Sequence, residues 1–234
     1  AMAQSKQKAI DRMVIIEAPD KYDNKTFHAN FQPEKETGND VLYTSELAIG
    51  YDHPLSVVSL DLKRGEKLGI LGGNGLGKST FLKTIVGKIP ALSGEYRFGT
   101  NVQIGYFDQQ MAMYTSNKTV LDDFWDEYPN LTETEARNAL GAFLFSGDDV
   151  FKNVNMLSGG EKVRLALCKI LKTRPNVLVL DEPTNHMDIV GKETLESMLK
   201  DYKGTLIFVS HDRYFVKKVA TQLLVFEDGT TNLY

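Results

Sequence analysis

Cysteine is almost missing from this 234-residue sequence. Cys168 stands alone, so no disulfide can close within the chain and no thiolate cluster can hold a metal. Lying in an amphipathic run, it reads as a small buried hydrophobe. Also missing is any apolar run near the roughly 20 residues that cross a bilayer, and the N-terminus lacks the apolar core of a signal peptide. Positive charge is not in excess: 27 Lys and Arg against 31 Asp and Glu leave a net charge of -4. That balance argues against a surface sheathed in nucleic-acid phosphate and leaves room for a local basic patch. There is no internal repeat and no low-complexity tract. What remains is the composition of a soluble, cytosolic globular protein, long enough for one substantial α/β core with decoration.

The N-terminal AMAQSKQKAIDRM is polar and rich in helix formers but has no full apolar stripe, and Pro19 stops any helix there. Residues 1–18 therefore read as the tail of a helix whose partner lies elsewhere, and 19–40 as an extended connector or edge strand. Regular structure is expected from 41 to 234. Strand patterns cover 41–49, 56–62 and 67–71, a helix 79–86, and further strands 95–98 and 102–107. Between 117 and 154 the pattern turns helical, with helices over 120–127 and 132–145. Thr132 and Glu135 have capping-box spacing at the start of the second. Strand and helix then alternate: helix 160–173, strand 177–180, helix 190–200, strand 205–209, helix 213–220, strand 223–226. This alternation implies right-handed crossovers and a mainly parallel sheet, with an antiparallel β subdomain before it and a small helical subdomain at 117–154.

LGILGGNGLGKST, residues 68–80, fits G-x-x-x-x-G-K-[ST] between a strand and a helix, the context a phosphate-binding P-loop requires. Its glycines let backbone N–H groups turn toward a phosphate, Lys78 supplies a mobile positive charge, and Ser79 offers a hydroxyl to Mg²⁺. The apolar strand 177–180 runs into Asp181 and Glu182. Parallel strands present their C-terminal ends at one rim, so these acids belong beside the phosphate loop. Asp181 suits the metal side and Glu182 the attacking water. A chance glycine-rich turn, and two carboxylates merely capping a turn, are the plainer readings that strand, loop and helix together oppose. Ser158, Gly159 and Gly160 open a helix whose buried face is Val163, Ala166, Leu167, Ile170 and Leu171. That geometry offers N–H groups and a dipole to an anion, or serves as a simple helix cap.

The phosphate loop, MLSGGEKVRLALCKILKTRPNVLVLDEPTNHMD at 156–188 and VSHDRYF at 209–215, in this order and spacing, closely resemble the nucleotide-binding domain of ATP-binding cassette proteins, specifically the ABC-F family. The likeness covers nearly everything from Val41 onward. It implies a P-loop ATPase that uses ATP and Mg²⁺, with ATP on Gly72, Gly73, Asn74, Gly75, Leu76, Gly77, Lys78, Ser79 and Thr80. Gln109 resembles the glutamine that senses Mg²⁺ and the γ-phosphate, Gln110 beside it leaving the register open. The metal would lie among Ser79, Gln109 and Asp181. Glu182 and His211 would be catalytic, and Tyr51 resembles the aromatic that stacks on adenine, with core packing the alternative. Leu157, Ser158, Gly159, Gly160 and Glu161 resemble the signature that contacts ATP held by another cassette.

Glu161 in LSGGE, where transporters usually carry Gln, and the trio Thr184-Asn185-His186 follow the ABC-F pattern; Met187 stands where leucine is commoner. The resemblance implies a second cassette cut from a tandem protein, residues 1–18 being the end of the inter-domain linker. The first cassette of the same chain would be its partner, with the ribosome and tRNA reached through the full-length protein in translation or antibiotic resistance. No membrane partner is implied, and the isolated fragment would be a monomer or weak homodimer that hydrolyses slowly. The alternative is the nucleotide-binding subunit of a membrane transporter. A non-hydrolytic switch is disfavoured by the presence of Lys78, Asp181, Glu182 and His211, and chromosome-type cassettes by the short gap between phosphate loop and signature.

Overall fold

A computed structural model describes residues 31–234, so the expected linker end at 1–18 and most of the connector lie outside the described residues. Alternation of apolar and polar residues builds an antiparallel sheet from β1 (Asp40–Gly50), β2 (Pro54–Lys63) and β4 (Ser93–Phe98), in the order β2-β1-β4. In β2, Ser56, Val58, Leu60 and Leu62 turn inward at period two. The second sheet has six strands in the order β5-β6-β7-β3-β8-β9: β3 (Lys67–Gly72), β5 (Ile104–Phe107), β6 (Val177–Asp181), β7 (Thr205–Val209), β8 (Gln222–Glu227) and β9 (Thr230–Leu233). All its pairings are parallel except β8 with β9. Six α-helices, α1 (Lys78–Ile85), α2 (Val120–Glu127), α3 (Glu133–Ala142), α4 (Gly159–Lys172), α5 (Ile189–Asp201) and α6 (Arg213–Val219), and three short 3₁₀ helices accompany the sheets among the described residues.

Strands β6 and β7 are buried along their whole length because both faces of the sheet are covered. Val177, Val179, Ile207 and Val209 pack toward the antiparallel sheet and Phe81 and Leu82 of α1. Leu178, Leu180, Leu206 and Phe208 pack toward the helical layer with Phe124, Leu140, Leu167 and Phe215. Cys168 is buried in that second layer, as expected. Two helices open with capping boxes: Thr132 with Glu135 on α3, and Ser158 with Glu161 on α4. Lys169 of α4 reaches Asp123 and Glu127 of α2, and Asp123 also accepts the Tyr114 hydroxyl at 2.8 Å.

Several boundaries differ from expectation. The helix expected over 132–145 ends at Ala142, and Leu144 adopts φ 68°, a left-handed conformation that no helix continues through. The strand expected from 102 starts at Ile104, after a turn at Asn101 with φ 57°. Strand β9, polar in sequence, was not expected and forms by antiparallel pairing at the sheet edge. Residues 31–39, the described part of the expected connector, lie against the domain. Phe31 is buried edge-on to Phe143 at 5.4 Å between ring centroids, a contact adding about 0.5–1.5 kcal/mol beyond area burial. Arg174 donates to Gln32 O, and the Asn176 amide to Lys35 O.

Candidate active site

The phosphate loop spans the end of β3 and the start of α1. Gly77 caps α1 at φ 100°, where an L side chain is disfavoured, and a β-carbon there would crowd Ile49 and Leu55. At Gly72, φ 146°, a β-carbon would stand 2.7 Å from Phe226 O, so β8 can pair closely only with glycine. The Lys78 amine donates to Gly72 O at 2.9 Å and Gly73 O at 2.7 Å, which folds the ammonium over the loop. Burial lowers its pKa, opposed by the charges of Glu182 and Asp181.

Strand β7 lies between β6 and β3, so the strands that carry the acids and the loop are one strand apart and still share a rim. Ser79 Oγ donates to Asp181 Oδ1 at 2.9 Å across this gap. Burial pushes the Asp181 carboxyl up, the Ser79 hydrogen bond opposing, while nearby Asp108 adds to the rise. Glu182 adopts φ 51°, a strained backbone for a non-glycine residue that costs on the order of 1–3 kcal/mol. That conformation aims its buried carboxylate at the loop after β7. His211 N–H donates to Glu182 Oε2 at 3.1 Å, and His211 Nε2 lies 3.2 Å from Glu182 Oε1. The second approach lacks hydrogen-bond alignment, leaving Oε1 a buried acceptor with no hydrogen-bond partner among the described residues. Burial raises the Glu182 pKa, with His211 opposing and Asp181 adding to the rise. Chemically, the cluster presents a hydroxyl and a carboxylate able to share a hard cation, and a desolvated carboxylate with one oxygen not hydrogen-bonded, a group able to take a proton from water that reaches it.

Residues 183–188 run from the acids toward α4. Thr184 Oγ1 lies 3.2 Å from Ser210 Oγ, both buried. His186 adopts φ 64°, a conformation in which histidine is enriched among non-glycine residues. A β-carbon on Gly160 would stand 2.5 Å from His186 O, and one on Gly159 would meet the His186 side chain at 3.3 Å. Both signature glycines are therefore fixed by this loop. Met187 is buried in the helical-layer core, and Asp188 accepts from Gly191 N–H to cap α5. The plainer alternative for Ser158, a helix cap, is what its contacts show: it accepts Glu161 N–H, and Glu161 accepts Ser158 N–H. Ser158 and Gly159 are nonetheless exposed, while Leu157 and Gly160 are buried.

Gln109 and Gln110 both open a short 3₁₀ turn after β5, capped by the Asp108 carboxylate, and both are exposed. Tyr51 is exposed in the turn after β1, so core packing is not its role. An open cleft of about 860 Å³ begins at Gly72, Gly73, Lys78 and His211 and runs along α6 past Arg213 and Lys217. Sequence reading missed Asp108, which Tyr106 and Lys88 hold below the edge of the site, and the Thr184–Ser210 hydroxyl pair. The hydroxyl pair depends on strands adjacent in space and distant in sequence, whereas Asp108 is held by Tyr106 two residues before it and by Lys88 from the loop after α1.

Residues 55–185, more than half of the chain, match the family model described as ABC transporter. The chain belongs to the ABC transporter family. Its fold and family are those of an ATPase domain. Among curated ABC relatives, it is 50% identical to the putative ATP-binding protein YdiF of Bacillus subtilis over 95% of this chain and 35% of that protein. It is 38% identical to ABC transporter F family member 5 of Arabidopsis thaliana over 99% of this chain and 34% of the relative. The ABC-F likeness is thus borne out by relatives bearing that name, and the chain spans about a third of the length of the two relatives named here. In structure it resembles the ATP-binding cassette MJ0796 in a dimeric post-hydrolysis state bound to ADP and Pi. The TM-score is 0.70 at 21% identity, over 82% of this chain and 97% of that one, a likeness of fold. No helix among the described residues is long and apolar enough to cross a membrane.

Proposed function

We propose that this domain binds Mg²⁺-ATP on Gly72 to Thr80 and hydrolyses it as the second cassette of a cytoplasmic tandem ABC-F protein that acts on the ribosome. The observation that carries the hydrolytic reading is the strained, buried Glu182, held by His211 with one oxygen left without a hydrogen bond. Mg²⁺ fits the donors present. Ser79 Oγ and Asp181 Oδ1 are adjacent hard oxygens, and no cluster of three His, Cys, Asp or Glu among the described residues forms an all-protein cage. A cation that keeps waters and shares phosphate oxygens suits such a site, and its role when bound is to neutralise phosphate charge. Gln109 would complete that side.

In this reading Lys78 leaves Gly72 O and Gly73 O for phosphate oxygens, and the N-terminal amides of α1 face the anion. Glu182 holds the attacking water and takes its proton, while His211 keeps the carboxylate in place and reaches toward the γ-phosphate. Ser158, Gly159 and Gly160, exposed or held at the start of α4, serve nucleotide on the other cassette, and that cassette's signature closes this site. Relatives more than twice as long as this chain leave room for that partner. The isolated domain should bind ATP and hydrolyse it slowly.

Two measurements check the reading. Substituting Tyr51→Ala removes the exposed aromatic proposed to stack on adenine, and should weaken ATP binding about tenfold or more. Unchanged affinity would remove Tyr51 from the site. For the process, the full-length Glu182→Gln variant should co-sediment with ribosomes when ATP is present and leave them when it is absent. Sedimentation with membranes instead would favour a transporter subunit.

A further inference from the structure

The acidic loop after β6 and the histidine loop after β7 are zipped together beyond the ends of the paired strands. Asp181 still pairs with Val209, Glu182 N–H donates to Val209 O at 3.0 Å, and His211 N–H donates to Glu182 Oε2. The next rung is not a backbone bond. It is the hydroxyl of Thr184 against the hydroxyl of Ser210, 3.2 Å apart and buried. Ser210 Oγ also accepts the N–H of Asp212, which fixes the serine from the other side of His211. On the far side of Thr184, Met187 N–H donates to Thr184 O, Met187 is buried in the core, and His186 abuts Gly159 and Gly160. The loop thus runs as a strap from His211 to the signature helix, and Thr184 is its inner anchor.

We infer that Thr184 is a positioning residue for hydrolysis: its hydroxyl, paired with Ser210, sets the spacing between Glu182 and His211. The inference rests on the hydrolytic reading above. Glu182 sits at a backbone conformation that a glutamate does not choose by itself, so something outside the residue must hold it. The backbone bond to Val209 holds its N-terminal side. On its C-terminal side, Asn185 N–H closes a turn onto Glu182 O, and the hydroxyl pair is the cross-strand contact that pins that turn. Without it, the carboxylate keeps its charge and reach and loses its alignment with the water. A misplacement of about 1 Å in a reacting group can cost on the order of 10²-fold in rate.

The test uses the full-length protein. Thr184→Val keeps the shape and removes the hydroxyl, and should lower kcat between about ten- and a hundredfold with KM and ATP Kd near wild type. Thr184→Ser should restore most of the rate. Ser210→Ala, which breaks the same pair from the other loop, should lower kcat similarly, and the double variant should be no slower than the worse single one. Wild-type kcat in Thr184→Val, an equal loss in Thr184→Ser, or losses that multiply in the double variant would each overturn the inference and leave the hydrolytic reading standing. If Thr184→Val does not fold, the Ser210→Ala and Thr184→Ser pair decides alone. A wild-type protein that binds ATP and never hydrolyses it overturns both readings.

Discussion

Replacing Glu182 by Gln should lower ATP hydrolysis by about 10²- to 10⁴-fold while leaving ATP binding intact. The range is what a positioned general base contributes, and the amide keeps the shape of the carboxylate, so the loop geometry should survive. Phosphate release and equilibrium nucleotide binding, measured on the same preparation, separate the two effects. The wild-type pH profile adds an independent check. Burial holds the Glu182 carboxyl above its usual 4.5. The base works ionised, so the acid limb of hydrolysis should lie above pH 4.5 and disappear in the Gln variant, whose side chain does not titrate there. Rapid turnover by Glu182→Gln would take the proton-accepting role away from this residue. Two neighbours bear on the size of the effect: the backbone N–H of His211 keeps facing position 182 in the Gln variant, and Lys78 loses one of the two carboxylates that support its charge.

The second large effect is on stability. Lys169 is nearly buried, 14% exposed, with its amine 2.6 Å from an Asp123 carboxylate that is 4% exposed. Lys169→Met leaves that carboxylate buried without its counter-charge, the Tyr114 hydroxyl remaining as a neutral donor, and should cost about 3–5 kcal/mol of unfolding free energy, a large part of a typical domain's total. The double variant Lys169→Met with Asp123→Asn should recover much of the loss. Trp125, two residues after Asp123 on α2 and bonded through Nε1 to Leu131 O, is the sole tryptophan and reports unfolding of this subdomain by fluorescence. A single variant that unfolds within 1 kcal/mol of wild type would show that the pair is dispensable. The sign with pH is fixed as well. Burial alone would lower the Lys169 pKa, yet the bonds to Asp123 and Glu127 outweigh it and hold the value above 10.5. Its contribution is therefore complete below pH 10.5 and is lost as pH rises through the raised value.

Much of this was legible in sequence because its causes are local. Glycines at 72, 75 and 77 followed by Lys78 and Ser79 can be read without knowing any neighbour, and so can Thr132 with Glu135 or an apolar run ending in two acids. The expected strands 177–180 and 205–209 differ from the observed β6 and β7 by at most one residue, since both are apolar runs bounded by polar residues. What stayed hidden depends on which strands lie side by side. The order β6-β7-β3 decides that Ser210 meets Thr184 and that β7 stands between loop and acids, and no window of sequence holds that order. Phe31 reads as one aromatic in a polar stretch until Phe143, more than a hundred positions later, is seen to receive it. Strand β9 has no apolar pattern because its partner β8 supplies the pairing. Thr184, Asn185 and His186 had only a family label in sequence; their physical account is a hydroxyl anchor, a turn, and a left-handed residue over the signature glycines.

The two capping boxes share a spacing and a set of bonds. In α3, Thr132 accepts Glu135 N–H and gives its hydroxyl hydrogen to Glu135 Oε2 at 2.9 Å. In α4, Ser158 accepts Glu161 N–H, and its own N–H and hydroxyl both hold the Glu161 carboxylate, which keeps that pKa low against the effect of burial. Each helix start therefore carries an anion of its own. A phosphate oxygen reaching the exposed Ser158 meets donors already turned toward a negative group, and it has to share them with a carboxylate or displace it.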